Sequence, residues 1–144
     1  MIIRTARSED SVAIKHLLAQ LGYPGLNEEE TNKKISSYAE DNYKLLAAEV
    51  DGEVVGFISL HIFNIFHSPG KIGRISAFCV DERFRSQGFG KKLLQAAEDF
   101  FLSKGCTKIE VTSNERRTRT HQFYLKIGYT EDSKRFVKYP KQGS

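Results

Sequence analysis

Asp51-Gly52 separates two apolar runs, residues 45–50 and 54–63, and constrains the fold more than any other feature of the chain. An Asp-Gly link satisfies the positive φ angles of a tight turn, so the two runs are expected to fold back as an antiparallel hairpin. Residues 2–6 alternate like a first strand. Ser8-Glu-Asp then caps an amphipathic helix carrying Val12, Ile14, Leu17, Leu18 and Leu21, which Gly22-Tyr-Pro-Gly ends. Asn27 and three glutamates open a second helix, placed at 27–41, whose apolar face is thin: Ile35, Tyr38 and Ala39. That weak face predicts a lid that orders on ligand binding. A third long strand is expected over 72–80, and a helix over 88–104 with Leu93, Leu94, Ala97, Phe100 and Phe101 turned inward. A strand over 109–113, a helix over 118–127 ended by Gly128, and two short strands within 129–139 complete the order. This is an α/β (α+β) chain with a mixed, mostly antiparallel central sheet and helices on both faces.

With 144 residues and neither a repeat nor a low-complexity linker, the chain is expected to be one domain, 1–144. At 40% hydrophobic and 28% charged residues it has the composition of a globular protein, not of a disordered or collagen-like one. No apolar run approaches a membrane span and the start lacks a signal-peptide stretch, which predicts a cytoplasmic protein. Cys79 and Cys106 have no CxxC spacing and are read as reduced thiols. His61 and His67 would share a face if the strand ran on, but Asn64 and Ser68-Pro69-Gly70 argue for a loop there, so no metal is expected. A net charge of +4 favours an anionic partner without naming it.

The stretch from Val80 to Leu94 narrows that partner. It is a basic, glycine-containing loop between an apolar strand and an amphipathic helix, which makes an anion cradle. Gly88 and Gly90 let backbone approach a ligand, amide N–H groups at the helix start point at negative oxygens, and Arg83, Arg85 and Lys91 add charge. A Walker A loop requires GxxxxGK[ST], and a dinucleotide fingerprint requires a third glycine where Leu93 stands, so neither fits.

Arg85-Ser86-Gln87-Gly88-Phe89-Gly90 instead resembles the acetyl-CoA pyrophosphate loop of the GNAT superfamily of N-acetyltransferases. Downstream, Thr120-His121-Gln-Phe-Tyr124 through Gly128-Tyr129 resembles that superfamily's second signature. The element order above is also that of the GNAT-like acyl-CoA N-acyltransferase fold. The resemblance implies that Phe78, Cys79 and Val80 pair with the pantetheine arm, that the Val80 N–H polarises the acetyl carbonyl, and that residues Arg85 to Lys91 hold the pyrophosphate. It further implies contacts from Asn114 and Arg117 to pantetheine or adenosine phosphate, His121 beside the cofactor pocket, and Tyr124 as general acid to the departing thiolate. Tyr124 beside Phe123 also fits aromatic packing.

The general base is not fixed by the resemblance, because Arg74 stands near the place where some relatives carry an acid. His61, Glu110 and an ordered water are the substitutes, and both side chains also fit ordinary structural roles. The tract 50–62 with Asn114 and the His121 segment is similar to small aminoalkylphosphonate acetyltransferases, which suggests a small primary amine bearing an anionic group. The implied function is transfer of the acetyl group of acetyl-CoA to a small primary amine. A non-catalytic acyl-CoA sensor and a protein or peptide amine acetyltransferase are the alternatives. Nucleic acid and membrane are not expected as partners, since acids are interspersed and no nucleic-acid-binding signature occurs. Pairing as a homodimer stays open.

Overall fold

The computed structural model describes residues 1–112, 118–132 and 135–140. Two compact units divide the chain, residues 1–112 and 113–144. The first unit contains β1 (Ile2–Thr5), α1 (Ser11–Leu21), α2 (Glu28–Ser37), β2 (Tyr43–Val50), β3 (Glu53–Asn64), β4 (Lys71–Val80), α3 (Phe89–Ser103) and β5 (Cys106–Val111). The described helix of the second unit is α4 (Thr118–Lys126).

The strands form one sheet in the order β1-β2-β3-β4-β5. The first four pair antiparallel and β5 joins β4 in parallel, giving the expected mixed sheet. Asp51 (φ 50°) and Gly52 (φ 80°) both take the left-handed conformation, so Val50 and Glu53 face each other across the tight turn that the Asp-Gly pair demands.

Strand alternation sends side chains to two covers. Leu45, Ala47, Phe57 and Cys79 pack with Ile14, Leu17 and Leu21 of α1 and with Ile35 of α2. On the other face Leu93 of α3 approaches Gly56, and Phe101 of α3 lies over Gly73. Helices therefore cover both faces.

Several boundaries differ from the sequence expectation. Val12 is exposed at 60%, because α1 turns Ser11, Ile14, Leu17 and Leu21 to the sheet. The second helix stops at Ser37, well before residue 41, and Thr31 joins Ile35 in its buried face. Strand β5 begins at Cys106, because parallel pairing with Lys71 recruits a polar stretch whose own pattern is weak. Residues 129–132 and 135–140 form no strand, and Phe136 and Tyr139 are exposed.

Two buried carboxylates tie elements together. Arg4 grips both oxygens of Asp10 at 2.8 and 2.9 Å and also reaches Glu49 at 3.0 Å, joining β1 to the turn before α1 and to β2. Asp81, just after β4, accepts from the backbone and guanidinium of Arg83, which also pairs with Glu53 on the hairpin. The Arg4 bonds hold the Asp10 carboxyl below its ordinary value of 3.8, and the Arg83 bonds hold Asp81 at about 2. Both ionised forms thus favour the folded state at pH above about 4; the Asp81 contribution is lost as pH falls toward 2, and the Asp10 contribution is lost as pH falls below its ordinary carboxyl range. Urea midpoints measured between pH 5 and pH 2.5 should fall steeply in the parent protein and less steeply in Asp81→Asn. Equal slopes would show that Asp81 carries no acid dependence.

Candidate active site

Strand β4 changes character halfway along. Ser59 pairs with Ala77 but Leu60 pairs with Ile75, so Ser76 is an extra residue that bulges from the ladder. The pairing of β4 with β5 ends at Ile75 and Val111. Beyond the bulge, the Asp81 N–H donates to the Val55 carbonyl at 2.7 Å, which fixes the alternation of the antiparallel ladder. Ala77 and Cys79 therefore turn their backbone groups to β3, whereas Phe78 and Val80 turn theirs to the other side. The Arg85 Nε donates to the Val80 carbonyl at 2.9 Å on that side, in agreement with this geometry.

The chain then enters α3 through strained backbone. Ser86 holds φ at 64° and Gly88, the residue before the helix, at 86°. A left-handed non-glycine residue costs free energy that a surrounding structure must offset, and such residues gather at binding sites. The first helical bond runs from Lys92 N–H to the Gly88 carbonyl, leaving the N–H groups of Phe89, Gly90 and Lys91 without intrahelical acceptors. No acid occupies this first turn, and Lys91 and Lys92 lie in it. Cations there oppose the helix dipole, so the charges of this turn do not favour the helix and leave its free N–H groups suited to an external anion. A Cβ on Gly88 would meet nothing within 4 Å, which leaves open space above the turn.

The structure therefore brings Phe78, Val80, Arg85, Ser86, Gln87, Gly88, Phe89, Gly90 and Lys91 to the end of β4 and the start of α3. Cys79 differs, because it is buried toward α1 and its thiol donates to the Leu17 carbonyl at 3.4 Å. Arg83 is engaged by Asp81 and Glu53, so its charge steadies the loop instead of facing an anion.

Of the residues weighed as bases, Glu110 is bonded by the Arg74 Nε at 2.6 Å, and proton uptake there would break that ion pair. His61 stacks on Tyr43 at 4.5 Å between ring centres, on the same sheet face as Ser59. In α4, the Tyr124 ring is buried, 5.6 Å from Phe123 and 5.7 Å from Tyr129, and its carbonyl accepts from the Tyr129 N–H. His121 is half-buried. Asn114 and Arg117 lie outside the described residues.

A cavity of about 220 Å³ opens between α1, α2 and the sheet. Ser76 and Ala77, consecutive residues, both line it, which only the bulge permits in a strand. Ser59 Oγ and Ser76 Oγ lie 2.8 Å apart, and the Tyr38 hydroxyl is 3.4 Å from Ser76. These hydroxyls escaped the sequence reading. A serine inside the apolar run 54–63 was their one visible sign.

The Acetyltransferase (GNAT) family model matches residues 12–129. An aminoalkylphosphonate N-acetyltransferase of Salmonella typhimurium is 32% identical over 137 residues, covering 94% of this chain and 89% of that protein. The crystal structure of glucosamine-6-phosphate N-acetyltransferase from Arabidopsis thaliana superposes with a TM-score of 0.83 at 28% identity, covering 96% of this chain and 98% of the other. Aminoglycoside N-acetyltransferase AAC(6')-Iy in complex with CoA has the same fold, with a TM-score of 0.82 at 21% identity over 98% and 94% of the two chains. No helix among the described residues is long and apolar enough to cross a membrane. The chain belongs to the GNAT acetyltransferase family and is an acetyl-CoA-dependent N-acetyltransferase.

Proposed function

We propose that the protein transfers the acetyl group to a small primary amine that bears an anionic group, by direct attack of the amine. The observation that carries the cofactor half is the junction of β4 and α3, where outward backbone groups meet a basic helix start with no acid in its first turn. The acceptor half is supported by the names of two relatives, an aminoalkylphosphonate and a glucosamine 6-phosphate acetyltransferase, both of which describe amines beside phosphorus-bound anionic oxygens.

Acetyl-CoA supplies an activated acetyl thioester. The Phe89, Gly90 and Lys91 N–H groups, with the side chains of Arg85 and Lys91, bind its pyrophosphate. Ser86, Gln87 and Gly88 shape the loop around it, while Phe78 flanks the pantetheine path and Cys79 anchors the strand to α1 behind it. The Val80 N–H donates toward the thioester oxygen as that oxygen gains charge. Tyr124 gives its phenolic proton to the departing sulfur and is restored by the second proton that the nitrogen sheds as the amide forms, and Asn114, Arg117 and His121 complete the cofactor contacts. Water in the open cavity takes the proton lost by the acceptor ammonium, with His61, stacked on Tyr43 behind Tyr38 of the cavity wall, as the side chain that would relay it outward. With no strong base at hand, kcat/KM should rise with pH toward the amine's own pKa, ordinarily near 10.4. A plateau reached near pH 7 would instead point to a dedicated base.

Thiol release from acetyl-CoA on adding pooled small amines tests this reading; acetyl-CoA binding without release from any pool would favour the sensor alternative. Gly88→Ala forces an L side chain to hold a φ of 86°. That strain, about 1–2 kcal/mol, should raise the KM for acetyl-CoA roughly tenfold as the loop relaxes, with kcat at saturation little changed. An unchanged KM would remove the loop from the cofactor site.

A further inference from the structure

The cavity between α1, α2 and the sheet has apolar walls, among them Ile14, Leu18, Ile35, Leu45 and Phe57, and two polar places. One lies on α2, where Thr31, Lys34, Ile35 and Tyr38 follow the i, i+3, i+4, i+7 spacing of a single helix face. Thr31 spends its hydroxyl on the Asn27 carbonyl at 2.8 Å, so Lys34 is the charged group this face offers. Lys34 makes no ion pair among the described residues, whereas neighbouring Lys33 is paired with Glu29. The other place is the floor, where the β4 bulge lifts Ser76 beside Ala77 and sets its hydroxyl against Ser59 and Tyr38.

At about 220 Å³ the cavity falls below the size that drug-like ligands occupy, so its occupant is short. A single unpaired cation at one side attracts an anion and repels a second positive charge, which disfavours extended polyamines. The hydroxyl cluster suits an amine, because a serine oxygen accepts from N–H while its own proton turns to another oxygen.

We infer that this cavity selects the acceptor by two points, with Lys34 Nζ on the anionic group and Ser76 Oγ receiving the amine. The inference rests on the acetyl-transfer reading above and names the residues that set its specificity. Lys34 and Tyr38 are one helical turn apart, Tyr38 reaches Ser76, and all three line the one small cavity, so a short acceptor can span the two points. Neither residue acts on the thioester, and both therefore govern amine binding, not cofactor binding.

Turnover of 2-aminoethylphosphonate and of propylamine by the full chain tests this. The anionic amine should be preferred, and Lys34→Met should cut the ratio of their kcat/KM values about tenfold, through the amine KM, as expected for loss of a charge-assisted contact. Lys34→Glu should invert the preference toward 1,3-diaminopropane. Lys33→Met, on the solvent side of the same helix, should leave the ratio unchanged. Ser76→Ala should raise the KM for both amines alike and leave that for acetyl-CoA unmoved. A ratio unaltered in both Lys34 variants overturns the inference while acetyl transfer stands; no turnover of any amine overturns both.

Discussion

Replacement of Tyr124 by Phe is expected to lower kcat for acetyl transfer by roughly 10²- to 10³-fold, the range lost when a positioned general acid is removed. The ring itself stays, and with it the contacts to Phe123 and Tyr129 that build the described part of α4. Ring packing is thereby kept, and both KM values should stay near those of the parent. This separation distinguishes acid catalysis from aromatic packing, which a phenylalanine would satisfy equally well. The loss should also shrink with thioesters whose thiols are better leaving groups, because they depart without a proton. An unchanged kcat would assign Tyr124 to packing and leave water as the proton source for the departing thiolate.

The largest effect on stability is expected at Gly73. A Cβ there would run into the ring of Phe101, a fully buried side chain of α3. Gly73 is paired with Ile62 on one side and Ile109 on the other, so the strand cannot swing away from the ring. Gly73→Val should cost about 3 kcal/mol or more, at or beyond the upper end of overpacking, out of a total of roughly 5–15 kcal/mol for a domain. Urea titration should show a large drop in midpoint or no folded baseline. Shortening the opposing ring in Gly73→Val with Phe101→Leu should recover part of the loss, giving a coupling that independent sites would not show. Additive losses would mean that the strand yields elsewhere.

What could be read in the sequence was local. Asp51-Gly52 specifies its own dihedrals, Gly88 and its basic neighbours specify an anion-ready helix start, and the apolar spacing of α3 specifies its inner face. What escaped depends on partners distant in the chain. The Ser76 bulge arises from a mismatch of lengths between β3 and β4, and only that mismatch turns a strand serine into the floor of a cavity. The polar start of β5 is strand because Lys71 pairs with Cys106, and the draw on Arg83 away from the cofactor loop comes in part from Glu53 on the distant β2–β3 hairpin. Arg74 likewise engages Glu110 across two parallel strands, a contact no spacing along the chain announces.

The central claim is that acetyl-CoA lies along the outer backbone of β4 and over the first turn of α3. Amide chemical shifts of the uniformly labelled protein, followed by NMR as CoA is added, test it most directly. The account predicts the largest changes at Val80 and at Phe89, Gly90 and Lys91, with small ones at Thr31 and Ile35 in the α2 wall of the cavity. Shifts concentrated on α2 with the β4–α3 junction unmoved would contradict it.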